Sequence, residues 1–99
     1  MRRAAHVDLA QGPIVAALRG VGFSVLSLAG VGVRGCPDLL CARSESETFL
    51  AEIKTPGLER GYSKQHRAEQ EAWRAAWRGR VVVLSSVEEA LAVAGVSVQ

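Results

Sequence analysis

The chain has 99 residues, enough for one compact domain with a modest core and too few for a two-lobed enzyme. Apolar residues make up 48% of it, and charges of both signs leave a net charge of +2, so disorder and collagen-like repeats are excluded. A pI of about 8.8 permits a nucleic-acid partner without requiring one. No apolar run is long enough to span a bilayer, and the basic start "MRRAA" precedes polar residues, so we expect one cytoplasmic domain over residues 1–99.

The first half of the chain reads as a helix followed by three strands. Residues 13–19 carry a helical apolar pattern, with Pro13 suited to the first turn and Gly20 to the stop. Residues 23–28 are β-prone and lead into the glycine-rich stretch "AGVGVRG". Residues 37–42 and 48–54 then read as two strands joined at the polar tip "RSESE", which predicts a hairpin.

The second half begins with a basic loop and continues as helix, strand and helix. Residues 55–63 have loop chemistry, and residues 64–78 form the clearest helix, in which alanines recur every four residues beside Trp73 and Trp77. We expect these tryptophans to face the core. The apolar run at 80–84 is typical of a strand covered on both faces, and Ser86 and Glu89 have capping-box spacing before a last helix at 87–91.

This order, α-β-β-β-α-β-α, predicts an α/β fold with a mixed four-stranded sheet. The long helix between the third and fourth strands favours a crossover connection, which places helices on both faces of the sheet. Cys36 and Cys41 lie five positions apart in one predicted strand, so their side chains should point to opposite faces and remain unpaired. Their spacing also fails the pattern of a zinc site, and we interpret both as small buried hydrophobes.

Three charged residues interrupt the apolar runs of the predicted hairpin. If the hairpin folds about Glu45, Asp38 lies opposite Glu52 with β-carbons roughly 4.5–5.5 Å apart, and Lys54 shares the face of Glu52. Two carboxylates at that distance repel each other, and one lysine offsets this only in part. A divalent cation held by oxygen ligands removes the conflict, since Mg²⁺ commonly uses one or two carboxylates together with water.

An alternative interpretation needs no metal. Asp38 can end a turn after Pro37, while Glu52 and Lys54 form an exposed ion pair on an edge strand. The hairpin register decides between the two interpretations, because a slip of one residue would turn the carboxylates to different faces.

The spacing of these residues resembles a known nuclease signature. Pro37-Asp38, thirteen intervening residues and then Glu52-Ile53-Lys54 are similar to the PD-(D/E)XK pattern. Together with "WRGRVVVLSSVEEAL" after a glutamine-bearing helix, the stretch "GCPDLLCARSESETFLAEIKT" resembles a small stand-alone VRR-NUC domain of phage type. The resemblance covers almost the whole chain and implies a restriction-endonuclease-like core and a metal-dependent DNA endonuclease.

The resemblance also implies roles for individual residues. Asp38 and Glu52 would ligate Mg²⁺ or Mn²⁺ through their carboxylates, the backbone carbonyl of Ile53 would add a ligand, and Lys54 would activate water and stabilise charge on the phosphate. The family glutamine falls on Gln70 when the chain is aligned through its tryptophans, whereas Gln65 lies nearer the centre of the alanine face. We choose Gln70 as the catalytic glutamine; an amide that only hydrogen-bonds at the sheet edge remains an alternative for either residue.

Two further features of the family transfer less directly. An acid followed three residues later by glutamine matches Asp8 and Gln11, but Pro13 implies that the regular helix begins near Gly12, so Asp8 is interpreted first as a turn or capping residue. His6 and His66 have no spacing that indicates a catalytic pair, and we interpret both as exposed polar residues.

The expected partner is DNA. Seven Lys or Arg residues against three Glu lie between positions 54 and 80, and Arg60, Lys64 and Arg67 follow the proposed metal site, where they would contact phosphates. Such contacts carry no base specificity, so we expect cleavage of branched or flapped DNA by a homodimer with paired sites. The alternative function is a non-catalytic DNA-binding or assembly module that keeps the nuclease fold.

Overall fold

The computed structural model describes residues 9–57 and 63–96. It contains three helices and four strands in the predicted order: α1 (Gln11–Gly20), β1 (Ser24–Ser27), β2 (Leu39–Ser44), β3 (Glu47–Ile53), α2 (Lys64–Ala76), β4 (Val81–Leu84) and α3 (Val87–Val93). Asp8, His6, Arg60 and Tyr62 lie outside the described residues. The predicted fold class is confirmed.

The strands form one mixed sheet in the order β1-β2-β3-β4. β1, β2 and β3 are antiparallel neighbours, and β4 runs parallel to β3 because the connection through α2 crosses over the sheet. Leu39 pairs with Ala51 and Cys41 with Phe49, so the hairpin has the predicted register. The register shifts only near the tip, between Ala42 and Ser44, where the ladder contains an irregularity.

The hydrophobic core lies on one face of the sheet, beneath α1 and α3. Ile14 and Leu18 are one helical turn apart on α1, so both reach the same layer of buried side chains. That layer also contains alternate residues of the strands, including Leu39, Ala51 and Leu84. Within the described residues, no side chain of α2 belongs to this core cluster.

Hydrogen bonds at the N-termini of α3 and α2 explain where these helices begin. The hydroxyl of Ser86 accepts from the Glu89 N–H at 3.1 Å, as the predicted capping box requires. The Glu89 carboxylate accepts from the N–H of Ser85, one residue earlier than the usual partner. Ser63 caps α2 in the same way, accepting from the N–H of His66 at 2.9 Å.

Two predictions about burial are wrong. Trp73 and Trp77 stack on each other with ring centroids 4.8 Å apart and do not enter the core; Trp77 is 46% exposed. β4 is an edge strand, and Val83 is 49% exposed on the face that it shares with Glu52. Both differences arise because α2 lies over the second face of the sheet and covers only part of it, with Gln70 as its one residue classed as buried.

The two cysteines are unpaired, as predicted. Cys41 is fully buried in β2, but Cys36 precedes the strand and is only half-buried, so the prediction of two buried hydrophobes holds for Cys41 alone.

Candidate active site

The hairpin brings Asp38 and Glu52 together at its open end. Asp38 directly precedes the first paired residue of β2, and its carboxylate accepts a hydrogen bond from the N–H of Ile53 at 2.7 Å. This bond fixes the Asp38 side chain beside the last residues of β3. Glu52 lies between Ala51 and Ile53, which face the core, so its side chain projects to the opposite face of the sheet, together with Val83 of β4.

Glu52 is a buried carboxyl group, with 4% of its surface exposed. Its pKa is raised to about 7, chiefly by burial and then by the charge of Asp38, with a further contribution from a hydrogen bond with Asp38. The charges of Lys54 and Arg74 act the opposite way. The alternative interpretation of Glu52 as part of an exposed ion pair is therefore wrong.

Lys54 and Gln70 complete the cluster. The Lys54 ammonium donates to Oε1 of Gln70 at 2.8 Å and lies 3.8 Å from the Glu52 carboxylate. The amide nitrogen of Gln70 donates to Glu52 Oε2, also at 2.8 Å. Gln70 is 5% exposed, so one amide bridges the carboxylate and the ammonium with little competition from water.

Gln65 is not part of this cluster. It is exposed, and its amide donates to Glu69 on the outer side of α2. Of the two glutamines that the sequence left open, the structure places Gln70 beside Glu52 and Lys54.

Gly35 determines how closely α2 approaches the site. Its φ of +79° is a left-handed value, and a β-carbon built on it would lie 2.7 Å from the carbonyl carbon of Glu69, closer still to the oxygen. Arg34 beside it forms an ion pair with Glu69 at 2.9 Å. The glycine-rich segment before β2 therefore holds α2 at the level of Gln70.

A concavity of about 390 Å³ opens next to Asp38. Its lining includes Leu28, Val31, Arg34 and Cys36, all from the segment between β1 and β2. Burial raises the pKa of the Cys36 thiol, and the nearby charges of Glu52 and Asp38 raise it as well. Cys36 thus borders the carboxylate pair as a neutral thiol.

The donors fit a hard divalent cation. Two carboxylates converge, one of them buried and with a raised pKa, and the backbone of Ile53 lies next to both. Within residues 9–57 and 63–96 no group of three or more His, Cys, Asp or Glu side chains converges on one point. Mg²⁺ often takes one or two carboxylates and completes its shell with water and substrate oxygens, so the pair offers donors of the type that this ion uses.

The structure describes two of the three basic residues that were predicted to bind DNA. Lys64 and Arg67 are exposed in the first turns of α2, the helix that carries Gln70, while Arg60 lies outside the described residues. Lys64 and Arg67 therefore lie on the same helix, α2, as Gln70.

Sequence reasoning gave no site role to two residues of this region, His66 and Arg74; His66 is exposed, as predicted, and its ring nevertheless lies beside Gln70. They lie one turn before and one turn after Gln70. Nε2 of His66 is 3.3 Å from the Gln70 amide nitrogen, and Nη1 of Arg74 is buried without a hydrogen-bond partner within the described parts of the chain. The spacing of four on either side of Gln70 was the signal available in the sequence.

The element order and the mixed four-stranded sheet are those of a restriction-endonuclease-like α/β fold. The chain is similar to a solved structure described as a VRR_NUC domain, with a TM-score of 0.61 over 86% of this chain and 89% of that one, at 19% identity. The chain therefore has the fold of a VRR-NUC domain, and the predicted resemblance is confirmed at the level of the fold. No protein-family model and no curated protein matches the chain.

None of the helices within the described ranges is long and apolar enough to cross a membrane.

Proposed function

We propose that the protein is a divalent-metal-dependent endonuclease that hydrolyses phosphodiester bonds in DNA. The observation that carries the proposal is the convergence of Asp38, buried Glu52, Lys54 and Gln70 at the open end of one hairpin. The VRR-NUC fold supports the same function. Cleavage requires a nucleophilic water and stabilisation of negative charge on the phosphate, and this group of side chains suits both tasks.

Asp38, Glu52 and the carbonyl of Ile53 would hold Mg²⁺ or Mn²⁺. When bound, such an ion supplies Lewis-acid polarisation of the phosphate and lowers the pKa of water. The ammonium of Lys54 orients the attacking water and donates to a phosphate oxygen. Gln70 keeps that ammonium beside the carboxylates, because its amide bonds to both Lys54 and Glu52.

The proposed substrate is branched or flapped DNA. Lys64 and Arg67, both exposed, would contact phosphates, as would Arg60, and these contacts carry no base specificity. A homodimer with paired sites would let so small a domain hold two duplex arms. Sedimentation of the free protein and of its complex with a four-way junction would test this part of the proposal.

Cleavage assays with a matched variant test the function directly. We expect the parent to cut flap, fork or junction DNA with Mg²⁺ or Mn²⁺ and to stop with a chelator. Lys54→Ala should lower kcat by about a hundredfold or more, the usual loss for one group that stabilises transition-state charge. Arg19→Ala is the control, because it removes an exposed cation from α1 on the other face of the sheet. If Lys54→Ala and the parent cleave at the same rate, the assigned mechanism is wrong.

The alternative is a DNA-binding or assembly module without catalysis. It is favoured by the small donor set, since no third acidic, histidine or cysteine side chain joins the pair within the described ranges. Such a module would bind DNA with an affinity that falls with salt, yet it would cut no substrate at any metal concentration.

A further inference from the structure

The amide of Gln70 contacts three polar side chains at once. Its Oε1 accepts from Lys54 Nζ at 2.8 Å, and its Nε2 lies 2.8 Å from Glu52 Oε2 and 3.3 Å from His66 Nε2. An amide nitrogen carries two protons, so Nε2 can serve both Glu52 and His66.

The contact with Lys54 fixes the orientation of the amide. The Lys54 ammonium has only donors, so the group that faces it must be the amide oxygen. The amide nitrogen is then the group that faces Glu52, and it donates to Oε2. Turning the amide over would set donor against donor at Lys54.

The orientation of the amide constrains the contact with His66. Because Gln70 presents an N–H group, a neutral imidazole can take part in this hydrogen bond only if Nε2 accepts and the ring proton lies on Nδ1. The imidazole is held one helical turn before Gln70 by the capped start of α2, where the His66 N–H donates to Ser63.

We propose that His66 is a positioning residue, which accepts a hydrogen bond from Gln70 and so keeps its amide aligned between Glu52 and Lys54. Deleting the acceptor removes one of the three contacts that hold the amide, and the amide then has freedom to rotate away from Lys54. The effect of His66 on cleavage rests on the proposed function, whereas the tautomer of its ring does not.

Nitrogen NMR of the imidazole tests the contact without any assay of activity. At pH 8 and in a chelator, the parent should show the proton of His66 on Nδ1 and an unprotonated Nε2. Gln70→Leu should shift the population toward the Nε2–H tautomer. A proton on Nε2 in the parent, or the same tautomer in both proteins, would overturn the inference.

Cleavage by three variants tests the consequence. We expect His66→Leu to lower kcat by about fivefold to tenfold with KM nearly unchanged, the scale of one net hydrogen bond lost from a group that does not touch substrate. His66→Gln offers an acceptor and should restore kcat to within about twofold of the parent. Gln65→Leu, an exposed neighbour on the same turn, should match the parent.

The proposed function and the positioning role of His66 can be contradicted separately. A parent protein that cuts no DNA contradicts the proposed function, and the tautomer measurement then decides the inference alone. In an active parent, a His66→Leu rate equal to that of the parent, or a His66→Gln rate as low as that of His66→Leu, contradicts the positioning role.

Discussion

The environment of Glu52 disfavours the ionised form of its carboxyl group. It is 4% exposed and beside Asp38, and its pKa is about 7 instead of the ordinary 4.5. The folded, metal-free protein therefore holds a proton that the unfolded chain releases, so the free energy of unfolding should fall as pH rises from about 4.5 to 7. This contribution is fully present below the unfolded pKa and is lost above the folded one.

Replacing the carboxyl by an amide should remove this dependence. In a chelator, Glu52→Gln should be more stable than the parent at pH 8 by about 3 kcal/mol, and the two should be similar at pH 4.5. Urea unfolding at both pH values measures the difference. Glu88→Gln, an exposed acid in the first turn of α3, is the matched control. Equal loss of stability by Glu52→Gln and the parent between the two pH values would contradict the assigned environment.

At the scale of elements, α2 is held over the sheet largely by polar contacts and one close backbone approach. Gln70 bonds to β3 and its neighbour Lys54, Arg34 pairs with Glu69, and Gly35 lies against the backbone at Glu69. The position of α2 therefore depends on the segment before β2 as much as on burial of apolar surface.

Two glycine substitutions distinguish backbone strain from the steric effect of the close approach between Gly35 and α2. Gly32 and Gly35 both have left-handed φ, +75° and +79°, but a β-carbon at Gly32 would meet open space while one at Gly35 would overlap the backbone of Glu69. Gly32→Ala should cost about 1 kcal/mol of stability, from strain alone. Gly35→Ala should cost more, about 3 kcal/mol, because α2 must also move. Urea unfolding gives both values, and Trp73 and Trp77 fluorescence reports the position of α2. Equal costs for the two variants would show that the approach of α2 at Gly35 contributes nothing.

The elements differ in how well the sequence could predict them. The hairpin and its register follow from local information, since the tip "RSESE" and the apolar residues on either side fix which positions pair. The partial exposure of Trp73, the exposure of Val83 and the burial of Gln70 depend on how α2 lies across the sheet, and the contacts that hold α2 there include the close approach at the distant Gly35. Helical periodicity identified an apolar stripe, but it does not reveal whether the stripe enters a core or stacks on itself, as these tryptophans do.

In the candidate site, too, some features follow from local sequence and others depend on tertiary packing. Asp38, Glu52 and Lys54 belong to one hairpin, so their proximity could be predicted from spacing alone. The burial of Glu52 could not, because it needs α2 to cover one end of the hairpin, whereas the spacing of four between His66 and Gln70 is a local feature of α2 itself. Tertiary packing, rather than local pattern, selects Gln70 over Gln65.

For the molecule as a whole, the proposed metal site links ion binding to folding. A cation that binds only the folded state raises the free energy of unfolding, by about 2.7 kcal/mol at a hundredfold excess over Kd. For a domain of this size that corresponds to a rise in Tm of roughly 10–20 °C.

The same linkage predicts how the rise in Tm depends on pH. Because the pKa of Glu52 is about 7, a proton competes with the metal at pH 6 and much less at pH 8. Thermal unfolding with Mn²⁺ or with a chelator should therefore show a larger metal-induced rise in Tm at pH 8. In Glu52→Gln the rise should be small at both pH values, since the amide is a weaker ligand than the carboxylate. A similar rise in the parent and in Glu52→Gln would place the ion elsewhere on the molecule and would contradict the assignment of Asp38 and Glu52 as its ligands.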